Sequence, residues 1–494
     1  MRDINLLKTG DPFFCDFYHI TMAQAWFQDG GFDKHKTSEA YFRKCPFGGS
    51  YLIAAGLGEF LSWIENWKFT DEHIKFLRNM KGDDDKPMFT EDFLEFIRKQ
   101  NLRLDIASVR EGEIVFPNEP VLAVTGPSWQ VDMVEAAFLN IFNMQSLVAT
   151  KASRVAAASQ VDGVKRPVLE FGLRRAQELG GFSPTRASFI GGCFGTSNVA
   201  AGQYYNIPIK GTMAHSFVMS YESETRAFKA FLKSAKGNST LLVDTYDTRQ
   251  GVKNAVKASD ETGIKLNGIR IDSGDLAYWS KEARKILDAA GFSHTKIVLS
   301  NDLDEHVIEN LIAVQKADVD IIAAGTKLVT AYDSPALGGV FKTKSFEHKP
   351  VIKIADGKTT IPGATNILRI YNNNGMFRSD VITSFDNIYV QDGVLARDII
   401  SLIPNSPDEA RAVFPKGSKA RSLLENFVIG GNIIKDKHDL DLHAIKSRAA
   451  KNMELLEPEY KRLANPHIYN VGIEQNLAGL QLDMVREYNQ KRPL

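Results

Sequence analysis

Charged residues and one histidine recur in this chain just past short apolar runs, where a fold can gather them for chemistry on an ionic substrate. His215 stands in GTMAHSF, directly after the run IPIK. Asp244 and Asp247 follow LLV, and Asp272 and Asp275 follow GIRI. Carboxylates at neighbouring strand ends can hold a divalent cation, grip sugar hydroxyls or stabilise a cationic sugar-like transition state. Asp is equally at home as the N-cap of a following helix, and that use competes most strongly at Asp247 and Asp275. Arg174, Arg175 and Arg270 also end apolar runs. A guanidinium aimed into an enclosed site needs an anionic partner, either a carboxylate or phosphate guest or a neighbouring aspartate. The turn AAGTKL, centred on Gly325 and Thr326, follows another apolar run and opens a helix, an arrangement suited to a phosphate. On these grounds alone His215 serves either structure or catalysis.

Six runs carry these residues: LEFGLRR, IKGTMAHS, LLVDTYDT, GIRIDSGD, IVLSNDLDE and DIIAAGTKL. Successive runs lie roughly 25 to 40 residues apart with helix-like sequence between most of them, which is the rhythm of repeated βα units. In a parallel barrel the strand C-termini converge on one face, where catalytic residues and phosphate sites are built. The expected fold class is α/β, with a central (β/α) barrel over residues 146–345. Residues 1–145 and 346–494 do not follow the rhythm and are expected to form one flanking domain from both chain ends. Asp16 to Asp29 has helical apolar spacing with Asp16 as N-cap. FTDEHIKFLRNM and FTEDFLEFIRKQ are two amphipathic helices, each opened by Thr and acidic residues. The charge run KGDDDKP between them is a solvated loop. Arg103 to Pro127 reads as a small antiparallel sheet, and Val131 to Val155 as one long apolar helix. Hairpins follow Gly339, and the tail from Asp439 is helix-rich.

Bulk properties exclude several classes. Lys plus Arg total 60 and Asp plus Glu total 60, so general binding to nucleic acid or an anionic membrane is disfavoured. Only Cys15, Cys45 and Cys193 occur, without a CxxC pair, which speaks against a disulfide framework and for a reducing compartment. The start MRDINLLKTGDPFF has no apolar signal core, and no stretch approaches the roughly 20 apolar residues that span a bilayer. A soluble, cytoplasmic protein with neither nucleic-acid nor membrane partners is expected. GxxxxGK[ST], HExxH and GxSxG are all absent, as is a proper GxGxxG after the first strand.

The ordered motifs FYHITMAQAW, RKCPFGGSYLIAAGL, EFGLRRAQ, GTSNVAAGQYYNIPIKGTMAHSF, VDTYDT, IRIDSGDL, LSNDLDE and GTKLVT resemble those of the nicotinate phosphoribosyltransferases. KPVIKI and KTTIPGATNILR extend the resemblance, which covers roughly residues 5 to 370. It implies a type II phosphoribosyltransferase fold, an irregular (β/α) barrel with a second α+β open-sheet domain. The implied reaction joins nicotinate and phosphoribosyl pyrophosphate to give nicotinate mononucleotide and pyrophosphate. Mg²⁺ is the implied cofactor, and ATP the co-substrate through transient phosphorylation of His215. Phe171 and Tyr18 of the partner subunit would sandwich the pyridine ring in a homodimer. Arg270 would pair with the nicotinate carboxylate, and Arg174 would face pyrophosphate or carboxylate. Asp272 would hold ribose hydroxyls or the metal, Thr212 and Asp244 would line the substrate site, and Gly325 with Thr326 would take the 5′-phosphate.

The nicotinamide-using relative shares the motifs at Tyr18, Phe171, Arg270 and Asp272 but carries Asp directly after its Gly-Thr, where this chain has Met213. An aspartate there would repel a carboxylate, so Met213 favours nicotinate. A catalytically silent barrel that binds pyridine nucleotides is a competing expectation, opposed by the full set His215, Arg174, Arg270 and Asp272. A sugar-phosphate aldolase or isomerase would need a barrel lysine or a paired acid and base, and Lys327 is the strand-end lysine to consider.

Overall fold

The computed structural model describes residues 10–177, 181–234, 237–355, 359–385, 388–403, 411–434 and 440–491. The chain divides into two compact units, one formed by residues up to Ser146 with those from Ala336 onward, the other by Leu147–Pro335.

The first unit opens with α1 (Phe17–Gln28), whose N-cap Asp16 donates its backbone N–H to His19 Nδ1 at 3.2 Å. β1 (His35–Phe42) follows. α2 (Asp71–Arg78) and α3 (Glu91–Arg98) start after Thr70 and Thr90, with paired acids in their first turns against the positive helix end. The intervening charge run is exposed and closed by a Lys81–Pro87 bridge. β2 (Asp105–Ser108) and β3 (Leu122–Pro127) pair antiparallel. The single long helix expected near residues 131–155 is instead two, Ser128–Met133 and α4 (Glu135–Ala158).

The second unit holds β4 (Val168–Glu170), β5 (Gly195–Thr196), β6 (Thr240–Leu242), α5 (Thr248–Thr262), β7 (Gly268–Ile271), α6 (Leu276–Ala289), β8 (Lys296–Leu299) and β9 (Ile321–Ala324). Its strands run parallel in the order β5-β4-β9-β8-β7-β6, a half-barrel. Five of the six expected runs form its strands. The sixth, IPIK, makes only the isolated bridge Ile209–Thr196, because Pro208 beside it has no N–H to give a ladder. Leu169, Val298 and Ala323 pack together, with Phe171 and Ile321 against them.

The chain then returns to the first unit through β10 (Gly339–Phe346), which turns back as a hairpin with Lys349–Pro350. β11 (Thr365–Tyr371), β12 (Phe377–Ser384) and β13 (Glu425–Ile429) follow. A seven-stranded sheet runs Lys349–Pro350, β10, β1, β3, β2, β13 and Asn432–Ile433, so both chain ends build it. A second, six-stranded sheet centres on β11 and β12, around buried Leu368, Ile370, Val381 and Phe414. Within it Arg369 on β11 lies opposite Asp380 on β12 and donates to it from Nε (3.0 Å) and Nη2 (2.6 Å), all fully buried. The tail contributes helices Leu442–Leu455 and Gln475–Gln490. Among the described residues no helix is long and apolar enough to cross a membrane.

Candidate active site

β7 carries Arg270 and, just past its end, Asp272, two residues apart on a pleated strand and therefore on one face. β8 runs parallel with Val298 beside Arg270, which brings Ser300 alongside Asp272. Arg270 donates from Nε to Ser300 Oγ (2.8 Å), from Nη2 to Asp272 Oδ1 (2.8 Å) and from Nη1 to Thr212 Oγ1 (3.2 Å). Ser300 Oγ donates in turn to Asp272 Oδ1 at 2.5 Å. The guanidinium carbon lies 5.6 Å from the centroid of the Phe171 ring. A guanidinium has five N–H donors; three are engaged here, and two remain for a guest. Arg270 is thus an internal ion-pair partner that keeps donors to spare.

His215 opens the short helix His215–Met219 and is 40 % exposed. Its Nδ1 lies 3.1 Å from Thr245 Oγ1, and its Nε2 lies 3.8 Å from Asp272 Oδ2. Asp244 is buried, and its Oδ2 accepts from Asp272 N (2.8 Å) and Ser273 Oγ (2.6 Å). Its Oδ1 is buried and has no hydrogen-bond partner among the described residues. Burial raises the pKa of the neighbouring Glu224, and the charges of Asp244 and Asp247 push the same way against a hydrogen bond from Asn254. A buried carboxylate oxygen without a donor, in a corner crowded with acids, is the environment a cation relieves.

Phe171 follows β4, and its N–H donates to Ala324 O at 2.8 Å. Beneath it the buried Glu170 carboxylate gathers Gly172 N, Thr185 Oγ1 (2.9 Å) and Thr196 Oγ1 (2.5 Å), fixing the turn that presents the ring. A Cβ at Gly172 would stand 2.3 Å from Val329 Cγ1, so the turn packs on the helix Thr326–Val329 only as glycine. Gly325 is the N-cap of that helix, immediately after β9.

Asp247 and Asp275 act as helix caps, and the remaining expected residues occupy varied positions. Asp247 Oδ1 accepts from Gln250 N (2.7 Å) at the start of α5, and Asp275 Oδ1 from Tyr278 N (2.9 Å) at the start of α6. Arg174 and Arg175 form the exposed turn Leu173–Arg175, without an ion pair among the described residues. Lys327 is paired with Asp304 at 2.6 Å, and that hydrogen bond raises its pKa, the opposite of what an amine nucleophile requires. Tyr18 belongs to the other unit, 49 % exposed on α1, where it lines a cavity of about 400 Å³ with Phe13, Glu135 and Asn143. Met213 is buried. Ser300, Thr245, Ser273 and Glu170 were not singled out from the sequence, although each adjoins or shares a run with a residue that was.

Three family models match successive stretches of the chain. The nicotinate phosphoribosyltransferase N-terminal domain matches residues 13–143, the nicotinate phosphoribosyltransferase family domain 167–363, and the C-terminal domain 365–481. The nicotinate phosphoribosyltransferase of Bacillus subtilis is 38% identical across 96% of this chain and 94% of its own. The chain belongs to the nicotinate phosphoribosyltransferase family. The human nicotinate phosphoribosyltransferase is 29% identical over 95% of this chain and 96% of its own. The crystal structure of human nicotinic acid phosphoribosyltransferase superposes with a TM-score of 0.79 at 25% identity, covering 95% of this chain and 99% of that one. Nicotinate-nucleotide pyrophosphorylase from Pyrococcus furiosus shares the fold, with a TM-score of 0.67 at 20% identity over 92% of this chain and 97% of its own. The parallel half-barrel and the sheet unit built from both ends are therefore the architecture of a nicotinate phosphoribosyltransferase.

Proposed function

We propose that this chain transfers the phosphoribosyl group of phosphoribosyl pyrophosphate to nicotinate, a step of NAD biosynthesis. The observation that carries this is the joint placement of the Arg270 guanidinium, the Phe171 ring and the Asp272 carboxylate at one end of the parallel sheet. In the reaction the bond from ribose C1 to the pyrophosphate oxygen breaks, and the pyridine nitrogen lone pair forms the new C1–N bond. The nitrogen needs orientation more than activation. The Phe171 face and the two remaining Arg270 donors supply it, one by stacking and the other by a fork on the carboxylate. Positive charge gathers on the sugar as pyrophosphate leaves, and the Asp272 and Asp244 carboxylates offer it electrostatic stabilisation. Met213 keeps a second negative charge away from the nicotinate carboxylate. Arg174 is assigned to the pyrophosphate, and Gly325 with Thr326 to the 5′-phosphate.

Magnesium fits these residues. Among the described residues no group of three or more His, Cys, Asp or Glu forms a closed metal cage. Mg²⁺ ordinarily uses one or two carboxylates and completes its shell with water and substrate phosphates. Asp244, with its unpartnered Oδ1, and Asp272 are the carboxylates that would hold it. Bound there with the substrate, the ion would neutralise charge on the leaving pyrophosphate. His215, half exposed beside Asp272, is assigned to accept a phosphoryl group from ATP and release it to water. Tyr18 of the partner subunit is assigned to the second face of the pyridine ring, which makes the working form a homodimer, and the cytoplasm is the proposed location.

The test is pyrophosphate release from phosphoribosyl pyrophosphate and Mg²⁺, with nicotinate or nicotinamide, each with and without ATP. Release with nicotinate, increased by ATP, is expected. Preference for nicotinamide would overturn the role given to Met213, and no release with either base would overturn the activity.

A further inference from the structure

Ser300 has no part in the bond changes described above, yet it stands between the two charged groups that serve them. It is buried, and its N–H donates to Ile271 O at 3.1 Å, which carries the β8–β7 ladder one residue further. Asn301 and Asp302 behind it take positive φ values of 101° and 43°, so the chain turns away at once. Asn and Asp tolerate that backbone region better than most residues.

A serine hydroxyl has one proton to give. Arg270 Nε–H points at Ser300 Oγ (2.8 Å), and the hydroxyl proton goes to Asp272 Oδ1 (2.5 Å) in preference to Ile271 O (3.5 Å). The polarity of the chain Arg270 Nε–H to Oγ–H to Oδ1 is therefore fixed. Oδ1 also accepts Nη2, which leaves Oδ2 as the oxygen turned towards His215. We propose that Ser300 is a positioning residue: it anchors Nε, sets the rotation of the guanidinium against Phe171, and so keeps two donors free for the nicotinate carboxylate. This rests on the assignment of Arg270 to that carboxylate. Without the hydroxyl, Nε–H loses its acceptor, and the guanidinium can satisfy it by closing a two-bond fork on Asp272. The donors offered to the guest would then be withdrawn.

Steady-state pyrophosphate release by Ser300→Ala tests this. The nicotinate KM is expected to rise about tenfold or more, with kcat and the phosphoribosyl pyrophosphate KM changed by less than about threefold. In an Arg270→Ala background the same substitution should add nothing, because its effect runs through the guanidinium. An unchanged nicotinate KM, an equal rise for both substrates, or a full additional loss in the Arg270→Ala background would each overturn the proposal. Should the alanine variant not fold, Ser300→Cys keeps the volume and weakens both hydrogen bonds, and the same shift or its absence decides. A crystal structure of the variant gives a readout independent of activity. Arg270 turned onto Asp272 is expected, and an unmoved guanidinium would overturn the positioning role. Absence of any nicotinate-dependent release by the unmodified chain would instead overturn the function proposed above, leaving the crystallographic result to judge Ser300.

Discussion

Asp272 gives one carboxylate oxygen to Arg270 at 2.8 Å and turns the other towards His215 Nε2, 3.8 Å away. A single side chain thereby joins the group assigned to the nicotinate carboxylate and the group assigned to phosphoryl chemistry. Removing either neighbour should be felt in a different kinetic constant.

His215→Ala should bring the ratio of rates with and without ATP down to about one, while ATP-independent release continues. The motive is the half-exposed position of the imidazole beside Asp272. Full ATP stimulation in the variant would remove His215 from that role.

Arg270→Ala should raise the nicotinate KM roughly 10- to 100-fold, the range expected for losing hydrogen bonds between charged groups. The phosphoribosyl pyrophosphate KM should move by less than about threefold. Equal effects on both substrates would assign the arginine to pyrophosphate instead.

Asp247→Ala and Asp275→Ala should each cost about 1 kcal/mol of stability and lower the unfolding temperature by about 2–4 °C, as loss of a helix N-cap does. Both carboxylates accept from the backbone N–H three residues on. Kinetic constants should stay near those of the unmodified chain. A large fall in kcat with unchanged unfolding would move these aspartates back among the reacting groups.

Glu119 lies fully buried, and its Oε2 accepts from Phe116 N at 2.8 Å. Burial, and then the Asp380 carboxylate, hold its pKa well above the ordinary 4.5, against the pull of Arg369. A carboxyl whose pKa is higher folded than unfolded binds its proton more tightly in the native state. Its stabilising contribution is complete below 4.5 and is lost as pH rises through the folded value. Glu119→Gln cannot ionise, so its unfolding temperature should gain on that of the unmodified chain as pH climbs from about 5 towards 8. Parallel curves over that interval would show that Glu119 stays neutral throughout or ionises without cost.

The strands around the site were legible because buried parallel strands read as continuous apolar runs, and LEF, LLV, GIRI, IVL and DIIAA each supplied one. Arg270 and Asp272 were legible separately as strand-end residues, and their pairing on one strand face came from the structure. Gly195–Thr196 escaped notice since two residues show no period, and IPIK suggested more strand than Pro208 allows. Ser300 could not be read locally. A serine after an apolar run is chemically unremarkable, and its meaning comes from β7, a strand contributed by residues about 30 positions earlier. Asp247 and Asp275 carried the ambiguity inherent in an aspartate at a βα junction, and only the backbone N–H groups facing them resolved it.

The seven-stranded sheet sets an order on synthesis. β1 lies between β3 and β10, and Ala40 meets its partner Phe341 only after about 300 further residues have left the ribosome. At ordinary elongation rates that is a wait of about 15 to 60 s. Among the described residues the strands of Leu147–Pro335 pair only with one another, so this inserted unit can complete its sheet while β1 still shows an open edge to the cell. A nascent chain stalled once Ala324 has emerged from the ribosome, but before Gly339–Phe346 has, would hold a finished half-barrel and an unguarded strand, a combination that recruits chaperones or other stalled copies. Yield on expression should therefore depend on the passage from Ala336 to Phe346 more than on any residue that touches substrate.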